Sequence, residues 1–197
     1  MPMGQEVTLV LFAYLIGSVP TGYMLGALAG VDIRKMGSGN VGATNVARVV
    51  GKRQGILTLI ADTGKGFVPA LVALQLDANA TVVALVGVAA FLGHLYPVFL
   101  KFRGGKGVAT AFGVLLGLAP LATSILIVIF AAVVLSSRIV SLASIFTSVA
   151  APIVLWLFSY APAFVAMSCF LGLMVVLRHR SNIERLCAGT EPKFGSS

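Results

Sequence analysis

The chain has 197 residues, of which 58% are hydrophobic and 10% charged, and its 14 Lys and Arg against 6 Asp and Glu give a formal net charge of +8. Soluble domains carry about 25% charged residues, so this composition excludes a soluble globule, a disordered chain and a disulfide-stapled secreted module. An integral membrane protein remains, and no nucleic-acid partner is expected.

Six apolar stretches follow one another along the chain. They lie at about 7–30, 55–76, 80–100, 107–135, 139–159 and 161–178. A hydrocarbon core of about 30 Å needs about 20 helical residues to cross it. The fourth stretch is long for one span and contains Gly117-Leu118-Ala119-Pro120. It therefore forms either one tilted helix or two shorter helices.

The distribution of cations decides between these topologies. With a turn at Pro120, the segments 31–54, 100–106, 136–138 and 179–197 share one face, and 13 of the 14 cations lie in these segments or, like Arg178, directly beside them. Six crossings would move Arg138 and the basic C-terminus to the other face, against the positive-inside tendency. We therefore predict a single all-α domain over residues 1–197. It has about seven transmembrane helices, a short fourth helix, the N-terminus outside and the C-terminus inside.

Glycines are frequent in and beside the apolar stretches, and the chain has 22 of them. Gly17, Gly22, Gly26 and Gly30 lie in or next to the first stretch. Small residues let transmembrane helices approach closely, so these four are predicted to serve packing.

The first internal segment contains the sequence GSGNVGATN from Gly37 to Asn45. Its G-x-G-x-x-G spacing does not indicate a dinucleotide site, because no strand precedes it. Glycines nevertheless allow backbone N–H groups to converge on an anion, and small polar side chains and Arg48 add ligands. The segment is either a phosphate-binding loop or a glycine-rich turn between helices.

The second internal segment reads GHLYPVFLKFRGGKGVAT from Gly93 to Thr110. It lacks the spacing of a Walker A element, so ATP hydrolysis is not supported. Lys106 lies among glycines at the start of a helix, where unpaired N–H groups and the helix dipole favour an anion. The alternative is that Lys106 serves only as a topology signal.

Three ionisable residues are predicted to lie at membrane depth or near it. Asp62 and Lys65 are three residues apart on one helix and can form an ion pair, either as a structural pair or with Lys65 in contact with substrate. His94 lies near the inner end of the third apolar stretch. Because a polar group in hydrocarbon is costly, His94 is a candidate general base or a structural and orienting group.

The C-terminal segment reads RHRSNIERLCAGTEPKF from Arg178 to Phe194. One interpretation is an interfacial tail attracted to anionic lipid. The other is recognition of a small polar molecule, because the segment holds both hydrogen-bond donors and acceptors. Ser136, Ser137, Arg138, Ser141 and Ser144 add hydroxyls and one cation at the preceding internal turn.

Four motifs in this order, separated by apolar helices, are similar to those of the bacterial acyl-phosphate-dependent glycerol-3-phosphate acyltransferases, the PlsY type. The motifs are GSGNVGATN, DTGKG, GHLYPVFLKFRGGKGVAT and RHRSNIERLCAGTEPK. The resemblance covers essentially the whole chain. The H-x-x-x-x-D motif of acyltransferases that use acyl-CoA or acyl carrier protein is absent, because Phe99 and Glu184 stand five residues after His94 and His179.

The resemblance implies transfer of a fatty acyl group from acyl phosphate to the 1-hydroxyl of sn-glycerol 3-phosphate. The products are lysophosphatidate and inorganic phosphate, and the reaction is the first acylation of bacterial phospholipid synthesis. It also implies a multi-pass protein of the bacterial inner membrane, in contact with membrane lipid, with its active site at the cytoplasmic face. We expect a monomer that needs no cofactor or metal.

The predicted site combines three catalytic candidates with a larger set of binding residues. The catalytic candidates are His94, Ser38 and Lys106. The binding candidates are Gly37, Gly39, Asn40, Thr44, Asn45, Arg48, Lys101, Gly104, Gly105, Gly107, Ser141, Ser144, His179, Asn182, Glu184 and Arg185. We expect the acyl-phosphate headgroup at Ser38, Gly39, Asn40, Arg48, Lys106 and the neighbouring glycine amides. Glycerol 3-phosphate is expected at Lys101, Ser144, His179, Asn182, Glu184 and Arg185. Either His94 or a substrate phosphate accepts the hydroxyl proton.

Two other functions compete with this one. A transporter of small phosphorylated anions would also use basic loops, although its ionisable groups should line a pathway through the membrane. A lipid-binding protein without enzymatic activity would bind anionic lipid and release no phosphate.

Overall fold

The computed structural model describes residues 1–193 and 195, and Phe194, the last residue of the C-terminal segment 178–194, lies outside them. Helices are the regular structure of this described part, which contains no strand. The chain divides into two compact units, Met1–Leu118 and a second that begins at Ala119.

Unit 1 contains six α-helices. They are α1 Met3–Gly17, α2 Thr21–Leu28, α3 Ala43–Val49, α4 Lys52–Gln75, α5 Ala80–Leu95 and α6 Val108–Leu118. A short 3-10 turn, Val98–Leu100, follows α5. The Asn79 side chain caps α5 by accepting a hydrogen bond from the Val82 N–H at 3.0 Å, which satisfies one of the unpaired donors of its first turn.

The described residues of unit 2 form four α-helices. They are α7 Pro120–Ser137, α8 Val140–Leu157, α9 Pro162–Arg178 and α10 Arg180–Cys187. Proline stands at the start of α7 and α9, where its missing N–H would have no helical partner in any case. Arg138 ends α7 in the left-handed conformation, with φ of 62°.

Five segments of the described chain are long and apolar enough to cross a membrane. They are Met3–Leu28, Lys52–Gln75, Ala80–Leu100, Pro120–Ser137 and Val140–Leu157. The pair α9 and α10, bent by 59°, makes a sixth if it counts as one broken span, and α6 is a shorter apolar helix. The long fourth apolar stretch thus forms two helices, since α6 ends at Leu118 and α7 begins at Pro120.

Glycines bring the helices of unit 1 into backbone contact. A Cβ on Gly17 would collide with the carbonyl of Ala90, and one on Gly93 with the carbonyl of Tyr14, so α1 and α5 touch without side chains between them. Gly22 and Gly26 are similarly enclosed, which confirms the packing prediction for three of the four glycines. The prediction is wrong for Gly30, which has φ of 74° and open surroundings and therefore makes a turn.

Candidate functional site

A glycine-rich loop precedes α3 in unit 1, and we call residues 37–42 the first loop. Gly37 and Gly39 have φ of 59° and 69°, values that side chains disfavour. The loop is built around Asn45, which is 2% exposed. Its Oδ1 accepts from the Ser38 N–H at 2.8 Å. Its amide donates to the carbonyls of Ile33, Met36 and Asn40 at 3.1, 3.1 and 2.9 Å.

This geometry separates the predicted residues of the first loop into two groups. Asn45 supports the loop from inside, because its side-chain hydrogen bonds are made to the loop and the turn before it. Gly37, Ser38, Gly39, Thr44 and Arg48 are exposed and can meet a ligand, while Asn40 is half-buried. An anion that entered here would meet glycine backbone, the hydroxyls of Ser38 and Thr44 and the guanidinium of Arg48.

The second predicted anion site is the segment 104–107 before α6, which we call the second loop. The N–H groups of Gly104 and Gly105 donate to the carbonyls of Leu95 and His94 at 3.1 and 3.2 Å. These two amides therefore fasten the loop to α5. Lys106 is half-buried and lies two residues before α6 begins. Its ammonium group is the positive charge of the second loop. Lys101, in the preceding turn, is exposed and has φ of 51°.

Three ionisable side chains meet inside unit 1, and we call Asp62, Lys65 and His94 the buried ionic cluster. Their exposed fractions are 2%, 7% and 5%. Asp62 Oδ1 lies 2.8 Å from Lys65 Nζ and 3.6 Å from His94 Nδ1. The ion pair predicted from the i,i+3 spacing is therefore confirmed. Its contact with His94, which is 32 positions away in the chain from Asp62, was not predicted.

In unit 2, Glu191 accepts hydrogen bonds from three of the predicted binding residues. The Ser141 hydroxyl donates to Glu191 Oε1 at 2.7 Å, and the Asn182 amide donates to the same oxygen. Arg185 Nε donates to Glu191 Oε2 at 2.7 Å. The Glu191 side chain is 7% exposed. Burial would raise the pKa of Glu191, but the three hydrogen bonds and the Arg185 charge outweigh burial and hold that pKa below its ordinary value.

The remaining predicted residues of unit 2 lie outside this carboxylate network. His179 is buried and its Nδ1–H donates to the Val175 carbonyl at 2.7 Å, which fixes the orientation of the ring. Ser144 is buried and donates to the Val140 carbonyl at 2.9 Å. Glu184 is exposed and pairs with Arg180 at 3.1 Å, an i,i+4 contact on the surface of α10.

Sequence reasoning gave no role to Glu191. Its partners Arg185 and Asn182 are 6 and 9 positions away in the chain, but Ser141 is 50 away. The available signal was an acidic residue after α10 in an otherwise basic segment. Within the described residues, no group of three or more His, Cys, Asp or Glu side chains comes together as a metal site.

Comparison with known proteins gives the same family throughout. A family model described as glycerol-3-phosphate acyltransferase matches residues 7–189. The glycerol-3-phosphate acyltransferase of Geotalea daltonii is 49% identical over 98% of this chain and 99% of its own length. That of Geobacter metallireducens is 53% identical over 96% of this chain and 97% of its own length.

Solved structures agree with the sequence comparisons. A crystal structure of PlsY, an integral membrane glycerol 3-phosphate acyltransferase, in its glycerol 3-phosphate form has a TM-score of 0.95 and 44% identity, and the match covers 98% of this chain and 96% of that one. A crystal structure of the lysophosphatidic acid form has a TM-score of 0.92 and 43% identity, with the same coverage. This chain belongs to the glycerol-3-phosphate acyltransferase family.

Proposed function

We propose that this chain transfers a fatty acyl group from acyl phosphate to the 1-hydroxyl of sn-glycerol 3-phosphate, giving lysophosphatidate and inorganic phosphate. The observation that carries the proposal is the second loop, which holds Lys106 at the start of α6 by backbone hydrogen bonds to α5. Membership of the family and the PlsY structures in glycerol 3-phosphate and lysophosphatidic acid forms support the substrate and the product.

The reaction requires one new bond and the loss of another. The substrate hydroxyl oxygen attacks the acyl carbonyl carbon, the bond from that carbon to the phosphate oxygen breaks, and inorganic phosphate leaves. Acyl phosphate is a mixed anhydride with a good leaving group. The protein therefore has to supply proximity and positive charge where phosphate charge accumulates.

The two loops of unit 1 supply that charge. We assign the acyl-phosphate headgroup to Ser38, Gly39 and Arg48 of the first loop and its neighbouring helix, and to Lys106 of the second loop. Arg48 and Lys106 are cations, and Ser38 offers a hydroxyl. The N–H groups of Gly104 and Gly105 are excluded from this assignment, because they hold the loop to α5.

The Glu191 network of unit 2 supports recognition of glycerol 3-phosphate. Glu191 fixes the Arg185 guanidinium and the Asn182 amide, so both side chains are preorganised for a small polar ligand. His179, between α9 and α10, is oriented by the Val175 carbonyl of α9. Glu184, exposed and paired with Arg180, is the weakest member of the predicted set.

A substrate phosphate is the proton acceptor that fits this structure best. His94 is 5% exposed and close to Asp62 on one side and Gly105 on the other, which suits a supporting group better than a base. Phosphate monoesters have a second pKa of about 6, so their dianions can accept a proton at neutral pH.

An apolar groove between α4 and α6 suits the fatty tail of the donor. It has a volume of about 400 Å³ and is lined by Leu59, Ile60, Thr63, Gly64, Phe67, Phe112 and Leu116. Phe112 stands on the same helix that Lys106 precedes, six positions further along. At about 1.5 Å per residue, Phe112 lies about 6 Å along α6 from its first residue, Val108, which follows the second loop.

The membrane arrangement completes the proposal. Counting α6 as a short crossing, together with the five long segments and the bent pair, gives seven crossings. Basic segments tend to stay on the cytoplasmic side of a membrane, so we infer that the N-terminus is outside and the C-terminus inside. We further infer one catalytic domain, a monomer, a location in the bacterial inner membrane and an active site at its cytoplasmic face.

One assay tests the donor, the acceptor and the reaction together. Purified protein in detergent is given glycerol 3-phosphate with either acyl phosphate or acyl-CoA, and lysophosphatidate and inorganic phosphate are followed. We expect both products from acyl phosphate in equal amounts. Product from acyl-CoA alone would overturn the donor, and uptake of glycerol 3-phosphate into sealed vesicles without lipid product would favour a transporter.

A further inference from the structure

The buried ionic cluster is a costly feature that the proposed reaction does not use directly. Asp62 and Lys65 lie on α4 and His94 on α5, and each side chain is less than a tenth exposed. Removing charges from water is expensive even when they pair, and apolar residues of similar size often give equal or greater stability. The contacts of the cluster indicate a role beyond stability.

Lys65 connects the cluster to the break between α1 and α2. Its Nζ donates to the Val19 carbonyl at 3.0 Å, in the short connection where the first helix stops and the second has not begun. On α2, a Cβ at Gly22 would collide with the Val41 carbonyl. The first loop therefore ends directly against α2, and α2 starts at the segment that Lys65 holds.

His94 connects the cluster to the second loop. A Cβ on Gly105 would collide with His94 Nε2, and the Gly105 N–H donates to the His94 carbonyl at 3.2 Å. Ring and backbone of His94 thus both support the residue immediately before Lys106. On the other side of the ring, Nδ1 lies 3.6 Å from Asp62 Oδ1.

A small cavity joins these parts of unit 1. Its lining includes Val19 and Gly22 from the connection and α2, Val41 from the first loop, and all three cluster residues. Its volume of about 10 Å³ is close to the minimum that one water molecule needs. It is too small for a substrate, which favours a supporting role for the groups around it over direct contact with the reactants.

We propose that Asp62, Lys65 and His94 are positioning residues that fix the first and second loops relative to each other for the acyl-phosphate headgroup. Asp62 is the centre of this arrangement, because it pairs with the lysine that holds the α1–α2 break and faces the histidine that supports Lys106. The inference rests on the proposed function, since it takes both loops as parts of one phosphate site.

The test compares Asp62→Asn, Lys65→Met and the double variant of both. Asp62→Asn leaves a buried ammonium without its carboxylate, so thermal stability in detergent should fall. The double variant removes both charges and should regain stability. A displacement of about 1 Å can cost about 10²-fold in rate, so kcat/KM for acyl phosphate should stay low by about that factor in all three.

The double variant separates positioning from stability. If it regains both its thermal stability and full kcat/KM, the cluster is only structural and the proposal fails. Asp77→Asn is the matched control, because it makes the same change at the exposed turn after α4. Its kinetics should equal those of the wild type.

Two substitutions of His94 provide a test if the Asp62 variants do not fold. His94→Gln keeps a polar group beside Gly105 and should retain activity within about tenfold, with an unchanged pH profile, whereas His94→Ala should lose about 10²-fold. A general base contributes about 10²- to 10⁴-fold, so a large and equal loss in both variants, with a lost acidic limb in the pH profile, would overturn positioning.

A binding measurement separates this inference from the proposed function. Inorganic phosphate should protect Lys106 from an amine-reactive reagent, followed by mass spectrometry, and Asp62→Asn should need about tenfold more phosphate for equal protection. If phosphate protects Lys106 less well in Asp62→Asn but the wild type makes no lysophosphatidate, the positioning role stands and the proposed acyltransferase activity is rejected. If the wild type is active and Asp62→Asn has the same phosphate protection and the same kcat/KM as the wild type, only the positioning role is rejected.

Discussion

The two units hold their predicted binding residues by different means. In unit 1 the loops are fixed by glycines, by the buried Asn45 amide and by helix carbonyls, with close contacts that leave no room for a side chain. In unit 2 a single carboxylate, Glu191, holds a serine, an asparagine and an arginine. Unit 1 should therefore be sensitive to volume and backbone geometry, and unit 2 to charge and pH.

The largest effect should come from the cation of the second loop. Lys106→Met keeps the length of the side chain and removes its charge, and loss of a group that stabilises developing charge typically costs about 10²- to 10³-fold. We expect kcat/KM for acyl phosphate to fall by that factor. Steady-state kinetics with purified protein measure it, with Lys52→Met, an exposed lysine at the start of α4, as the control. Equal losses in both variants would point to net charge rather than to this loop.

The substitution Asn45→Ala tests whether ligand binding by unit 1 depends on backbone geometry. Asn45→Ala removes the amide that holds three carbonyls and the Ser38 N–H, and a buried polar group left unpaired costs about 1–3 kcal/mol. At about 1.4 kcal/mol per factor of ten, kcat/KM should fall about 30-fold, mainly through KM for acyl phosphate.

The control for Asn45 is the helix cap of α5. Asn79→Ala makes the same change at a residue that caps a helix, and it should lower stability by about 1 kcal/mol without altering KM. An Asn45→Ala protein with wild-type KM would mean that the first loop does not bind the donor.

The substitution Glu191→Gln tests whether ligand binding by unit 2 depends on the carboxylate charge. Glu191→Gln removes the charge that holds Arg185, and we expect about a tenfold rise in KM for glycerol 3-phosphate, with KM for acyl phosphate unchanged. Glu184→Gln is the matched control, because that glutamate pairs on the surface of α10. A rise in both KM values would contradict the assignment of unit 2 to the acceptor.

The pH dependence of stability provides a second measurement for Glu191. Its folded pKa is lowered from an ordinary value of 4.5. The stability that the ionised carboxylate contributes is therefore present above pH 4.5 and is lost as the pH falls through the folded pKa. The difference in Tm between wild type and Glu191→Gln should become smaller as the pH falls below 4.5. A difference that stays constant with pH would contradict the lowered pKa of Glu191.

The smallest effect concerns the groove between α4 and α6. Gly64 lines the groove, and a Cβ there would meet no neighbouring atom, so Gly64→Leu can fold normally while filling the space. We expect kcat/KM to fall about fivefold for long-chain acyl phosphate and little for a short-chain donor, since each excluded methylene forfeits about 0.8 kcal/mol. Gly4→Leu on α1 is the control, and a loss independent of chain length would remove the groove from the tail-binding site.

Much of this architecture could be predicted from local patterns. The ion pair of Asp62 and Lys65 follows from helical spacing, and the break before Pro120 follows from its flanking glycine and from the charge distribution. The family could be predicted because four motifs occur in order along the chain. The ion pair depends on residues that are close in sequence, and the topology and the family depend on patterns that are visible along the chain without tertiary contacts.

The remaining features depend on tertiary contacts that local patterns do not encode. Asn45 looked like a ligand for an anion, and only its burial identifies it as the support of the first loop. Glu191 and its partner Ser141 are 50 positions apart. Gly105 looked like a source of amide donors, but the fold uses its N–H to hold the loop on α5.

The shortness of α6 has a consequence for how a lipid-like substrate reaches the enzyme. With 11 residues at about 1.5 Å each, this helix spans about 16 Å, roughly half of the hydrocarbon core. In the seven-crossing arrangement that we propose, the leaflet beside α6 must thin, or water must enter at one of its ends. An acyl phosphate that approaches laterally through the membrane can then present its headgroup to the site proposed at Lys106 while its alkyl chain stays in the hydrocarbon. Full desorption would cost about 0.8 kcal/mol for every methylene group, and lateral entry avoids that cost.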